Sequence, residues 1–142
     1  LRFSTKANNK GRERALSERE GLELWRRAVT ASVRSDAPDL TARQQAILMT
    51  IALTPGPHTV RGLAEHLNIA KPAVTRALDA LARLDFIRRI KDDTDLRNIF
   101  IERTPAGMAY LRTFSGLVLA AASGKDDSQL APKRGGKTNA AA

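Results

Sequence analysis

Ile69-Ala70-Lys71-Pro72-Ala73-Val74-Thr75-Arg76-Ala77-Leu78 decides how this 142-residue chain folds. Val74 and Leu78, with Leu81 beyond them, are spaced to face a core, which leaves Lys71, Thr75, Arg76, Asp79 and Arg83 outside. Pro72 suits the first turn of such a helix, where its missing N–H costs nothing. Upstream, Val60 to Leu67 predicts a short helix with Leu63, Ala64 and Leu67 on one face, and Asn68-Ile69-Ala70 a tight turn. Downstream, Phe86 to Lys91 and Asn98 to Arg103 lean to β-strand around a turn-rich linker, Asp92 to Arg97, so a hairpin follows. Two short helices across a tight turn and then a hairpin make a winged helix-turn-helix.

Further out, Ser17-Glu18-Arg19-Glu20 and Thr41-Ala42-Arg43-Gln44 fit capping boxes, each opening a helix. The first carries Leu22, Trp25, Ala28, Val29, Ser32 and Val33 at helical spacing and stops before Pro38; the second turns Ile47, Leu48, Ile51 and Ala52 inward. Thr54-Pro55-Gly56-Pro57 ends the second. Thr104-Pro105 is an N-cap with proline at the first helical position. Behind it Met108, Leu111, Phe114 or Ser115, Val118 and Ala121 or Ala122 form one stripe. The expected fold is mainly α with a small β-hairpin. Residues 1–16 form a basic disordered arm, residues 17–122 the winged-helix domain with terminal dimerisation helices, and residues 123–142 a disordered tail. A winged domain does not need the first and last helices for its own core. Their apolar residues exceed what one small domain buries, and a homodimer is the economical answer.

Composition narrows the function. The chain is 42% hydrophobic but 4% aromatic, so aliphatic residues must build the core. It has no cysteine, which removes disulfides and thiolate metal sites. No apolar run approaches the roughly 20 residues that cross a bilayer, and residues 1–16 show no apolar leader stretch, so a cytoplasmic protein is expected. The net charge is +9, and residues 1–34 carry nine Lys/Arg against four Asp/Glu. Such an excess attracts polyanions. No Gly-rich phosphate loop, nucleophile elbow or paired catalytic carboxylates are present, so neither an enzyme nor a cofactor is expected. His58 and His66 are the only histidines, too few ligands for zinc, and His66 reads as solvated.

From Leu40 to Leu111 the chain resembles the MarR family of bacterial transcription regulators. The resemblance rests on Leu40-Thr41, Leu63-Ala64-Glu65-His66-Leu67, Ala73-Val74-Thr75-Arg76-Ala77-Leu78-Asp79-Ala80-Leu81, the wing Asp92-Asp93-Thr94-Asp95-Leu96-Arg97, and Thr104-Pro105-Ala106-Gly107. It implies a homodimer joined through its terminal helices, with recognition helices in successive major grooves and wings in flanking minor grooves. The chain departs from the family pattern at Asp85, where glycine is frequent, and at Arg103, where leucine is common. Aspartate tolerates a left-handed turn better than most residues. The C-terminal side is also shorter than in many relatives.

The residues themselves point to duplex DNA. Arg76 can donate two hydrogen bonds to guanine, and Thr75 can meet a base or a phosphate; the competing reading pairs Arg76 with Asp79 one turn on. Lys71 and Pro72 stand at the helix start for phosphate or base-edge approach, or serve only the helix start. Arg97 at the wing tip suits a narrow minor groove, with Asp95 as its brace or as support for the turn. Lys91, Arg88 and Arg89 are phosphate candidates, but strand alternation keeps all three from serving at once; Arg88 and Arg89 read equally as a solvated strand face. Trp25 packs at the helix interface or lines an effector pocket. The expected function is a dimeric, sequence-specific double-stranded-DNA-binding regulator, a repressor that occupies a pseudo-palindromic operator, with a small-molecule effector as a further partner. A winged-helix protein-interaction adaptor and a non-specific architectural DNA binder are the alternatives.

Overall fold

The computed structural model describes residues 14–125. Most of the basic arm (1–13) and of the tail (126–142) therefore lies outside the described residues. Five helices and one hairpin follow in order: α1 Glu18–Arg34, α2 Ala42–Leu53, α3 Val60–Leu67, α4 Lys71–Arg83, β1 Ile87–Lys91, β2 Ile99–Arg103 and α5 Pro105–Ala122. Both capping boxes form, at Ser17/Glu20 and at Thr41/Gln44. Hydrogen bonds from the Ser17 backbone and then from Arg14 hold the Glu20 carboxyl below the usual carboxylate range. The turn between α3 and α4 is made by Asn68 in the left-handed conformation (φ 53°), its N–H donating to the carbonyls of Ala64 and Glu65.

One core joins α2, α3, α4, the base of the hairpin and the first half of α5. Ile47, Leu48, Leu63, Val74, Leu78, Leu81, Ile87, Ile101, Met108 and Leu111 are buried in it. The last helix is thus not surplus to the winged domain, as its sequence suggested: Met108, Tyr110 and Leu111 belong to the main core. Tyr110 and Leu117 are buried where the stripe led us to expect Val118, which is half-buried. Beyond Leu111, α5 packs on α1. Ala28 and Ala31 are fully buried there, Ala31 and Leu117 share a small cluster, and the Trp25 and Phe114 rings meet edge to face at 6.0 Å.

The hairpin pairs Ile87 with Arg103 and Lys91 with Ile99 in antiparallel register. Phe86 and Asn98, expected in the strands, lie just outside them. His58 adds a bridge on the other edge of β2, its carbonyl accepting from the Ile101 N–H at 2.9 Å. A single residue between two prolines and a helix gave no strand pattern to read. At the wing tip the Asp92 carboxylate accepts from the N–H (2.9 Å) and hydroxyl (2.8 Å) of Thr94, and Asn98 N–H donates to the Asp95 carbonyl at 2.9 Å. Asp85 supplies the left-handed turn (φ 61°) that ends α4 and starts the wing.

Thr104 ties these parts together. Buried at 5% exposure, its hydroxyl donates to the Asp85 carbonyl and accepts from Gly107 N–H at 3.0 Å. Its own N–H donates to the Phe86 carbonyl. Gly107 lies so close to that segment that a Cβ would sit 2.2 Å from the Phe86 carbonyl oxygen. Arg103 donates to the Ala52 carbonyl at 2.8 Å, so the departure from leucine gives the last turn of α2 a cationic partner.

Gly107→Ala should destabilise the fold by about 1–3 kcal/mol or more, because backbone must move to admit the methyl. Thr104→Val should cost about 1–2 kcal/mol through the lost cap. Urea unfolding followed by circular dichroism checks both, with Gly116→Ala, a mid-α5 site where a Cβ meets nothing within 4 Å, as the contrast expected to stabilise by about 0.5–1 kcal/mol. The wing offers a pH test. Hydrogen bonds from the Thr94 backbone and then its side chain lower the Asp92 carboxyl. A depressed carboxyl stabilises its turn above its unfolded value and loses that contribution as pH falls through the folded value. The Thr94 amide resonance should hold steady from neutral pH downward and titrate with a midpoint below 3.8, the ordinary aspartate value. Asp92→Asn should abolish that titration.

Candidate nucleic-acid interface

The outward face of α4 follows from its inward one. Val74, Ala77, Leu78 and Leu81 are buried, which turns Lys71, Pro72, Thr75, Arg76, Asp79 and Arg83 to solvent. No acidic residue stands in the first turn of α4, so the exposed start of this helix is positive both by its dipole and by Lys71. Arg76 does not pair with Asp79. That carboxylate instead takes the Arg89 guanidinium of β1 at 2.7 Å, and Arg76 has no ion-pair partner among the described residues. The long-range partner won because Arg89 reaches Asp79 from a strand already fixed by the core, whereas an Arg–Asp pair three apart on one helix gains only tenths of a kcal/mol.

This bridge also sorts the basic residues of the hairpin. Arg89 lies on the side of β1 that meets α4, and Lys91, two residues on, shares its parity, while Arg88 lies on the other face, opposite Glu102. Arg88 and Lys91 are exposed. Arg88 is open to solvent on its strand face, whereas the Arg89 guanidinium is engaged by Asp79. Arg97 projects from the tip with its side chain 92% exposed. Asp95 Oδ1 accepts from the Arg97 backbone N–H at 3.1 Å and from its Nε at 3.2 Å. The terminal guanidinium nitrogens of Arg97 stay outside both bonds and can reach a ligand.

The structure therefore brings Lys71, Pro72, Thr75 and Arg76 onto one helix face and sets Lys91, Asp95 and Arg97 on the hairpin beside it. Arg89 holds hairpin and helix in fixed relation. The sequence did not announce that link, because Asp79 and Arg89 stand 10 residues apart with no periodicity connecting them. Such a surface, a cationic helix face flanked by a hairpin whose tip presents the Arg97 guanidinium, can enter a major groove and the neighbouring minor groove. His66 is exposed, as read from its helix position. Among the described residues no group of His, Asp or Glu is close enough to hold a metal ion. No helix there is long and apolar enough to cross a membrane.

Comparison with known proteins agrees with this geometry. The MarR family model matches residues 40–99. No curated protein matches the chain in sequence. Among solved structures, a mutant of S. aureus MepR bound to an oligodeoxyribonucleotide is 25% identical, with 67% of each chain covered and a TM-score of 0.59. The transcriptional regulator Tm0710 from Thermotoga maritima is 26% identical over 60% of this chain and 56% of its own, with a TM-score of 0.51. YusO from Bacillus subtilis, at 23% identity, shares the fold over 75% of this chain and 67% of its own, with a TM-score of 0.53. The helix-turn-helix lies inside the segment 40–99 that resembles the MarR family, and the chain carries the fold of these transcription regulators.

Proposed function

We propose that this chain is a homodimeric, sequence-specific double-stranded-DNA-binding regulator that represses by occupying a pseudo-palindromic operator. The observation that carries this reading is the pairing pattern on the α4–wing face. Arg76 has no acid partner among the described residues, Arg97 stands exposed on its brace, and Lys71 and Lys91 are exposed beside them. In this reading Thr75 and Arg76 meet base edges, Lys71, Pro72 and Lys91 meet the backbone, and Arg97 enters the minor groove. Asp95 orients Arg97. The nucleic-acid complex of the structural neighbour MepR supports the ligand class.

Dimerisation rests on α1. Leu22 (74% exposed), Trp25, Val29 and Val33 recur along its outer face, and Leu119 of α5 is also exposed. A stripe of large apolar residues on a helix that already packs on α5 is what a second copy would cover. An effector site is the finer part of the proposal. Trp25, Val29, Ser32, Val33, Asp39, Leu40, Ala42 and Gln45 surround a recess of about 270 Å³. Burial pushes the neighbouring Tyr110 phenol up, and Gln45 and Ser32 approach its hydroxyl without closing a hydrogen bond of ordinary geometry. A buried hydroxyl left open favours a ligand that completes it.

Binding-site selection on random duplexes should enrich a two-fold-symmetric motif. Arg76→Ala should lower affinity for it about ten- to hundredfold, the size of a lost bidentate base contact, and Arg97→Ala should weaken binding with a milder loss of preference. Failure to enrich any motif at low salt would favour the protein-interaction adaptor. Trp25→Asp should convert the dimer to monomer in analytical ultracentrifugation; an unchanged mass would remove α1 from the interface.

A further inference from the structure

The start of α2 and the outward face of α4 enclose a groove of about 420 Å³. It is lined by Thr41, Ala42, Arg43 and Gln44 from α2 and by Ala73, Arg76 and Ala77 from α4. Two guanidinium groups, from two different helices, thus border one recess. Neither has an ion-pair partner among the described residues, and neither helix has an acidic residue in its first turn. Elsewhere the protein neutralises many of its arginines: Arg26 and Arg27 with Glu23, Arg61 with Glu65, Arg89 with Asp79 and Arg97 with Asp95. Like charges around one recess repel, and among the described residues no carboxylate lines it to offset them. The Thr41 hydroxyl oxygen and Gln44 Oε1 accept the capping-box hydrogen bonds, so the charged groups lining the groove are the arginines.

We infer that Arg43 is a DNA-contacting residue, a backbone clamp that takes a phosphate of the duplex across this groove while Arg76 reads the adjacent base edges. The inference rests on the DNA-binding reading above and adds to it a contact from α2, outside the helix-turn-helix and the wing. The groove adjoins the α4 face carrying Thr75 and Arg76, so a duplex seated on that face brings its sugar-phosphate edge over Arg43. A planar guanidinium suits a phosphate in two-point contact. Because every phosphate is alike, the contact carries affinity and salt dependence but no sequence preference.

The test measures binding of the full chain to the selected operator and to a scrambled duplex of equal length, each across a range of salt. Arg43→Ala should lower affinity for both duplexes by the same factor. It should also reduce the slope of log K against log salt by about 0.9 for each protomer bound. Arg43→Lys should retain the slope, and Arg112→Ala, an exposed arginine in a different recess, should leave it unchanged. A parent slope in Arg43→Ala, with the Arg76→Ala loss intact, would overturn the clamp alone. So would a loss confined to the operator, or an equal drop in Arg112→Ala. A parent chain that binds neither duplex at low salt would overturn both the clamp and the DNA-binding reading. Circular dichroism on Arg43→Ala separates misfolding from lost contact, and if it misfolds, Arg43→Gln takes its place under the same criteria.

Discussion

The Thr104 hydroxyl is the point on which the arrangement of recognition helix, wing and last helix depends. Being buried, it must both give and accept a hydrogen bond. It gives to the carbonyl of Asp85, the left-handed residue between α4 and β1, and accepts from Gly107 in the first turn of α5. Its backbone N–H goes to Phe86. Two segments distant in sequence, Asp85-Phe86 and Thr104–Gly107, are thus held together at one short residue. Gly107 makes that possible, because only a residue without Cβ lets α5 approach the Phe86 carbonyl so closely. The sequence Thr-Pro-x-Gly is therefore a joint as well as a helix start.

That joint sets the geometry that the charges then use. Exposed ion pairs contribute little to stability, so the Asp79–Arg89 and Asp95–Arg97 contacts matter more for direction than for energy. The first spans from recognition helix to wing, and the second aims the tip. By consuming Asp79, Arg89 leaves the outward face of α4 without an acid answering Arg76 among the described residues. The surface is cationic because of how its acids are distributed, and less because of the total charge, much of which lies in the arm.

Helix α5 serves two bodies. Its first half closes the core with Met108, Tyr110 and Leu111, and its second half carries α1 through Leu117 and Phe114. The recess beside Trp25 is formed by α1, the loop after it and the start of α2, with Tyr110 of α5 adjoining it. A ligand seated there would bear on the helix pair and on the winged domain together. The same α2 turn borders the Arg43 groove as well, which places the recess and the proposed DNA-facing surface on one rigid element.

Local chemistry determined a good deal by itself. Period and caps identified all five helices, because side-chain spacing and orphan N–H groups are satisfied within a few residues: Ser17 with Glu20, Thr41 with Gln44, Thr104 with Gly107. Asp85 could be read as a left-handed turn for the same reason. The α4 face carrying Thr75 and Arg76 followed from its buried partners, and the Arg97 tip from its turn residues. Only tertiary structure decided that Asp79 would choose Arg89, that His58 would bridge to β2, that α5 would enter the main core, and that Arg43 would share a groove with Arg76. Each of these joins residues far apart along the chain. Their partners are selected by how the helices pack, and no repeat or spacing along the chain records that.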